Sequence, residues 1–263
     1  MTGRLALTWW GHSSTTVELD GVRIATDPLL TNRLAHLRRS GPMPGSRAAD
    51  ADLILISHLH GDHLHVPSLR RFRSGAPVLA PPGAAAIIGR GATGPIYEMR
   101  PGEERNLCGL RIQVTAAFHD GRRSPLSRKG SPALGFRVSG VAHSVWYPGD
   151  TGLTEAMSQL ASVDLALVPI GGWGPSLGEH HLDPVQAAEA LRRVGATFAV
   201  PVHYGTFWPV GLRRLSPASH ERLFVAPPTH FVAAAAHQTP ATRVHVARQG
   251  QRIELIADEQ AER

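Results

Sequence analysis

What the chain is short of narrows the field first. It has one cysteine, Cys108, which excludes an internal disulfide and agrees with a reducing compartment. Within Leu107-Cys108-Gly109-Leu110 that residue reads as a buried strand position rather than a nucleophile. Lysine is almost missing, Lys129 being the only one among 27 basic residues. No run reaches the ~18 apolar residues of a membrane span. Met1 to Trp10 shows neither a positive n-region with a long apolar stretch nor a small-residue cleavage site, so a cytoplasmic protein is expected. A helix-turn-helix, an aromatic RNA-binding signature and a long basic run are also lacking, so no nucleic-acid partner is expected. The net charge of +6 favours approach of an anionic small-molecule substrate instead. Arg38-Arg39, Arg70-Arg71-Phe72-Arg73 and Arg213-Arg214 read as solvated helix or loop faces.

What is present in quantity is histidine, and it is placed with a pattern. Leu53-Ile54-Leu55-Ile56 reads as a buried strand that runs straight into Ser57-His58-Leu59-His60-Gly61-Asp62-His63. His58 and His60 project to the same side of extended chain, and a turn permitted by Gly61 brings Asp62 and His63 to a neighbouring position. The same grammar recurs three times. Leu110 to Ala117 leads to His119, His143 to Tyr147 leads to Pro148-Gly149-Asp150, and Phe198 to Val202 leads to His203. Imidazoles and carboxylates in this number form a ligand set for two divalent ions, with imidazole suited to zinc and other borderline metals.

These residues resemble the metallo-β-lactamase fold superfamily of metal-dependent hydrolases, whose His-x-His-x-Asp-His signature is matched by His58, His60, Asp62 and His63. The resemblance implies that His58, His60 and His119 bind one metal, that Asp62, His63 and His203 bind the other, and that Asp150 bridges them. Thr8-Trp9-Trp10-Gly11-His12-Ser13-Ser14, Thr26-Asp27-Pro28, His181-Leu182-Asp183-Pro184 and His203-Tyr204-Gly205-Thr206-Phe207 are similar to the branch containing L-ascorbate-6-phosphate lactonase and N-acyl-phosphatidylethanolamine phospholipase D. Redox di-iron members of the superfamily tend to carry glutamate where this chain has His60, so hydrolysis with zinc is expected, manganese and iron being the alternatives.

A metal pair lowers the pKa of a shared water and polarises the scissile group, so solvent serves as nucleophile through a bridging hydroxide. Asp62 and His181 are the side chains expected to act in the chemistry, His181 standing before a helix N-terminus that favours an anion. Asp27 is expected to accept the free N–H of a ligand histidine, and His12 to reach the site from the end of the first strand. Trp173 and Trp208, in glycine- and proline-rich loops, are candidate walls of the cleft, and Arg122 and Arg123 candidate contacts for a substrate phosphate or carboxylate.

Helical stretches are expected at Pro67 to Ser74, Gly83 to Arg90, Thr154 to Ala161 and Pro184 to Val194, with a small helix around Ala233 to Ala236. The clearest is Pro184 to Val194, with Asp183 as N-cap, Gln186 closing a capping box and Gly195 ending it. Strands are expected at Ala6 to Trp10, Thr15 to Leu19, Val22 to Ala25, Leu134 to Ser139, Leu165 to Ile170, Arg243 to Ala247 and Arg252 to Ile256. The alternation points to an α/β protein, an αββα sandwich of two mixed sheets flanked by outer helices, forming one domain over residues 1–263. Its halves are expected to meet near residue 130.

The function expected is metal-dependent hydrolysis of a phosphodiester or a phosphorylated small molecule. Lactone or carboxylic ester hydrolysis, which uses the same hydroxide, and ligand binding without turnover are the alternatives. Homo-oligomerisation is left open.

Overall fold

Strands whose alternate residues are apolar bury one face each, and in this computed structural model, which describes residues 3–72, 75–92, 94–124, 127, 130–172 and 177–256, two such sheets lie face to face. In chain order the strands are β1 Leu5–Gly11, β2 Ser14–Leu19, β3 Val22–Thr26, β4 Arg33–Leu34, β5 Leu37–Arg39, β6 Leu53–Leu55, β7 Val78–Ala80, β8 Ile96–Glu98 and β9 Glu104–Leu107. They continue with β10 Leu110–Asp120, β11 Pro132–Ser139, β12 Ser144–Tyr147, β13 Val163–Pro169, β14 Ala196–Val202, β15 Phe207–Pro209, β16 Arg243–Val244 and β17 Arg252–Ile256. The α-helices are α1 Val66–Leu69, α2 Ala84–Ile88, α3 Pro184–Val194, α4 Leu212–Leu215, α5 Pro217–His220 and α6 Pro227–Gln238.

The first sheet has the order β17-β1-β2-β3-β6-β7-β8 and the second β16-β14-β13-β12-β11-β10-β9. Each joins an antiparallel part to a parallel run, β3-β6-β7-β8 in one and β12-β13-β14-β16 in the other. Leu5, Leu7 and Trp9 of β1 meet Ile112 and Val114 of β10 and Leu134 and Phe136 of β11 in the core between the sheets. The intervening residues turn outward. Ile54 and Val78 pack under Leu69, Phe72 and Ile88, while Ala166 and Val168 pack under Ala187, Leu191 and Phe231. The result is helix, sheet, sheet, helix, the αββα sandwich that the alternation predicts, with each fully buried Leu or Phe contributing about 1.5–3 kcal/mol.

α3 carries the end signals legible in its sequence. Asp183 accepts from the backbone of Val185 and Gln186, Gln186 reaches back to the backbone N–H of Asp183, and Gly195 closes the helix at φ +71°. Thr154 to Ala161 contains a 3₁₀ turn, Glu155–Gln159, and the alanine run lies inside the twelve-residue α6.

Four expectations need correction. The chain leaves the first sheet after β8 and enters the second at β9, well before residue 130, and β17 then returns to the first sheet beside β1. Cys108 is exposed, because Cys108 and Gly109, at φ +54° and +77°, form a two-residue hairpin turn between paired Leu107 and Leu110. Arg39 is buried rather than solvated: it donates to the carbonyls of Trp10, Leu29 and Thr31, and its guanidinium stacks 4.8 Å over Phe207. It belongs to a third, small sheet of order β15-β5-β4 that the sequence did not announce. The turn after His60 closes by hydrogen bonds from His63 N and Leu64 N to the His60 carbonyl, without a left-handed conformation at Gly61.

Candidate metal centre

Strand ends deliver the polar side chains to one edge of the sandwich. β6 runs into His58, β10 carries His119 near its end, β12 leads to Asp150, β14 to His203 and β1 to His12. Gly149, at φ +64°, makes this convergence fit, since a Cβ there would stand 2.5 Å from the Cβ of Ser57. Three residues with side chains also adopt left-handed backbone here, His12 at φ +54°, Asp27 at +32° and His203 at +60°. Such conformations cost about 1–3 kcal/mol each and persist where the surroundings enforce them.

Two groups of donors form. In the first, His60 Nδ1 lies 2.9 Å from His58 Nε2 and 3.3 Å from His119 Nε2. In the second, the ligand atoms of His12, Asp62, His63 and His203 all lie within 4.8 Å of one another. Asp150 stands between the groups, its Oδ2 3.3 Å from His63 Nε2, 3.1 Å from His203 Nε2 and 3.7 Å from His181 Nε2. It also clusters with His119 and His181. The seven residues read from the sequence as metal ligands are thus brought together.

Hydrogen bonds behind the rings set their tautomers. A carbonyl only accepts, so Nδ1–H of His119 donates to His180 O, that of His203 to Gly171 O and that of His181 to Leu177 O. Each leaves a lone pair on Nε2, facing the centre. His63 Nδ1 is held 2.6 Å from Asp27 Oδ2, the oxygen that also accepts from Ser57 Oγ and from Tyr147 O–H at 2.5 Å. Asp27 Oδ1 takes the backbone N–H of Ser57, so the carboxylate ties the start of the histidine loop to the ring that it carries.

The electrostatics call for cations. Burial keeps His58 well below its ordinary range and holds His12 and His119 at about 4, which leaves their rings neutral near pH 7. Burial alone would raise Asp62 and Asp150, yet the neighbouring imidazoles hold both well below the usual carboxylate value. His63 is driven the other way: burial disfavours its charge, but Asp150, Asp62 and Asp27 outweigh it. Among the described residues, Nε2 of His63, Nε2 of His203 and Oδ1 of Asp150 are buried without a hydrogen bond. Nitrogen and carboxylate donors lacking partners at the meeting point of two clusters fit a pair of divalent ions.

The remaining site candidates separate. His12 lies inside the second cluster rather than behind it. Trp208 packs on His220 and Phe224, and Trp173 lies outside the described residues. Arg122 is paired with Asp120, and Arg123 donates to the carbonyls of Leu59 and Leu64, bracing the histidine loop. Sequence reasoning missed Tyr147, Ser57 and Thr206, which act only through contacts across the fold; Thr206 Oγ1 accepts the His12 backbone N–H at 2.6 Å. A cavity of about 230 Å³, lined by Ile170, Leu177, Pro227, Arg222 and His230 among others, shares Gly172 and Leu223 with a smaller pocket that His12 and His203 line.

Known proteins resemble this chain over most of its length. The model of the β-lactamase superfamily domain matches residues 22–204. A UPF0173 metal-dependent hydrolase of Methanopyrus kandleri is 32% identical over 212 residues, covering 78% of this chain and 86% of that protein. The N-acyl-phosphatidylethanolamine-hydrolyzing phospholipase D 1 of Caenorhabditis elegans is 29% identical over 233 residues, 79% of this chain and 65% of the relative. Among solved structures, Igni18, a metallo hydrolase from Ignicoccus hospitalis, shares the fold with TM-score 0.71 at 24% identity, covering 97% of this chain and 99% of its own. No helix among the described residues is long and apolar enough to cross a membrane.

Proposed function

The chain belongs to the β-lactamase superfamily domain family and is a metal-dependent hydrolase, and from that premise we propose that it binds two divalent ions, zinc first among them, and cleaves a phosphodiester or phosphorylated small molecule. His58, His60 and His119 would hold one ion, Asp62, His63 and His203 the other, and Asp150 both. The observation that carries this reading is the placement of Asp150 Oδ2 against His63 and His203 while its Oδ1 and their Nε2 atoms make no hydrogen bond.

Bound there, such ions supply Lewis acidity and activate water as nucleophile. Asp62, facing His12 Nε2 at 3.0 Å, would take up a proton from the attacking water. His181 has its Nδ1–H on Leu177 O and a lone pair on Nε2, so it would take up a proton from solvent at Nε2 and then give it to the departing oxygen. Asp27, held by Ser57 and Tyr147, keeps the His63 ring in place while charge develops. The net charge of +6 and the likeness to a phospholipase D support a substrate with a phosphate group.

Metal analysis of the purified protein, with parallel assays on bis(4-nitrophenyl) phosphate and a simple lactone, tests the reading. Two equivalents of metal and phosphodiester cleavage that is lost in His60→Ala and Asp150→Ala are expected. Cleavage of the lactone alone would move the assignment to ester hydrolysis, and activity surviving in both variants would remove the centre.

A further inference from the structure

We propose that His12 is a fifth protein ligand of the ion held by Asp62, His63, His203 and the shared Asp150, which makes that ion the more enclosed of the pair; this rests on the two-ion reading above. The ligand atoms of His12, Asp62, His63 and His203 lie within 4.8 Å of one another. Around a five-coordinate zinc, bonds of about 2.0–2.1 Å place neighbouring donors about 2.9–3.6 Å apart. His12 Nε2 is 3.0 Å from Asp62 Oδ2, and His63 Nε2 is 3.5 Å from the same atom, so both observed edges fall within that range.

The backbone fixes His12 as firmly as it fixes the other donors. Its N–H donates to Thr206 Oγ1, and its carbonyl accepts from Trp9 Nε1 at 2.8 Å and from the N–H of His203 at 3.0 Å. His12 and His203 are therefore linked directly through their main chains, and their rings stand 4.3 Å apart. A residue that only donated a hydrogen bond to Asp62 would have no need to converge on His203 and His63 as well. The Nε2 atoms of His63 and His203, which make no hydrogen bond, both approach Asp150 Oδ2, at 3.3 and 3.1 Å.

A consequence separates the two ions. Three imidazoles, the Asp62 carboxylate and Asp150 surround the second position, with His12, His63, His203 and Asp150 all buried, whereas His60 and His119 at the first are only half-buried, so the first is the more open to solvent. The second ion loads first and exchanges slowly, and the first is the substrate-facing one.

The test uses the full chain, His12→Gly and His12→Gln. Glycine suits the backbone, because residue 12 sits at φ +54°. Zinc competition titration and the visible spectrum of the cobalt-loaded protein are read together, alongside melting of the metal-free forms. The wild type is expected to bind two equivalents, the tighter step weakening at least 100-fold in His12→Gly, more than the 10- to 100-fold typical of losing an outer-shell partner. The cobalt d–d band of that step is expected to shift, and added imidazole to restore it. His12→Gln, which keeps bulk and a hydrogen-bond donor, should show the same shifted band. A band unchanged in both variants, even with weakened binding, would reduce His12 to a donor for Asp62 and overturn the inference. A wild type that binds fewer than two ions would instead overturn the functional reading itself.

Discussion

Tyr147 O–H and His63 Nδ1 meet on one oxygen, Oδ2 of Asp27, at 2.5 and 2.6 Å. The phenol comes from the second sheet and the imidazole from the loop after the first, so this oxygen ties the sandwich's two halves together at the point where a metal ligand is aimed.

Removing that hydroxyl should therefore register at the metal. Tyr147→Phe keeps the ring and its packing but leaves Asp27 one donor short. Metal affinity of the His63 cluster is expected to fall about 10-fold, within the range for such outer partners. Folding stability should drop by about 1–2 kcal/mol. Competition titration against a chromophoric chelator and urea unfolding measure the two effects.

Stripping the metal should soften the whole molecule. An ion present at 100 times its Kd adds about 2.7 kcal/mol to the folded state. For a chain of this size that corresponds to about 5–10 °C in Tm. Differential scanning calorimetry with and without EDTA should show a loss of at least this size, recovered on adding zinc. An unchanged Tm would mean that the buried imidazoles and carboxylates are self-sufficient.

Arg39 is a second buried dependency. Its guanidinium serves three carbonyls, of Trp10, Leu29 and Thr31, and burial lowers its pKa to about 10. Arg39→Met keeps the stem over Phe207 and abandons the carbonyls, at a cost of about 3 kcal/mol in urea unfolding. Because Trp10 adjoins the Gly11–His12 turn, metal affinity should weaken in the same variant.

Cys108 offers the opposite outcome. It occupies the first central position of a hairpin turn whose two residues both have positive φ, where asparagine is favoured. Cys108→Asn should raise stability by about 0.5 kcal/mol while removing the chain's thiol, checked by denaturant midpoint. A lowered midpoint would show that the Sγ contact with the Asp52 carbonyl, at 3.4 Å, outweighs the backbone gain.

A pH effect follows from Asp20, far from the metal residues. Burial pushes its carboxyl up, but hydrogen bonds from the Ala142 and His143 backbones and the His143 ring outweigh it and hold the pKa below the ordinary value. A depressed carboxylate stabilises the fold fully above its unfolded pKa of about 3.9, and that contribution is lost as the pH falls through the folded value. Between about pH 5 and pH 3 the wild-type urea midpoint should decline more steeply than that of Asp20→Asn. Parallel slopes would show that Asp20 carries no acid sensitivity.

Local signals explain what was legible from the chain alone. The parallel strands buried on both faces read as unbroken apolar runs, so Leu53 to Leu55 and Ala196 to Val202 could be found, and the polar residues following them pointed to the site. The capping box at Asp183 is likewise complete within four residues. Tyr147, Arg39 and the position of His12 inside a cluster depend on partners from distant strands, and no spacing in the sequence encodes them. Cys108 was misplaced because its neighbours have strand character while the turn is set by the backbone of Cys108 and Gly109. Arg122 and Arg123 look free in sequence, and only folding shows them engaged by Asp120 and by the carbonyls of Leu59 and Leu64.

The return of β17 to lie beside β1 has a consequence for how the molecule is made. Among the described strands β1 is synthesised first, yet the strand that covers its outer edge is the last of them to leave the ribosome. Until then Leu5 to Thr8 offer an open row of amide groups to any passing strand. The nascent chain is thus exposed to mispairing until the last strand of the sandwich is made, and a chaperone that shields the emerging β1–β2 hairpin should raise the yield of folded protein.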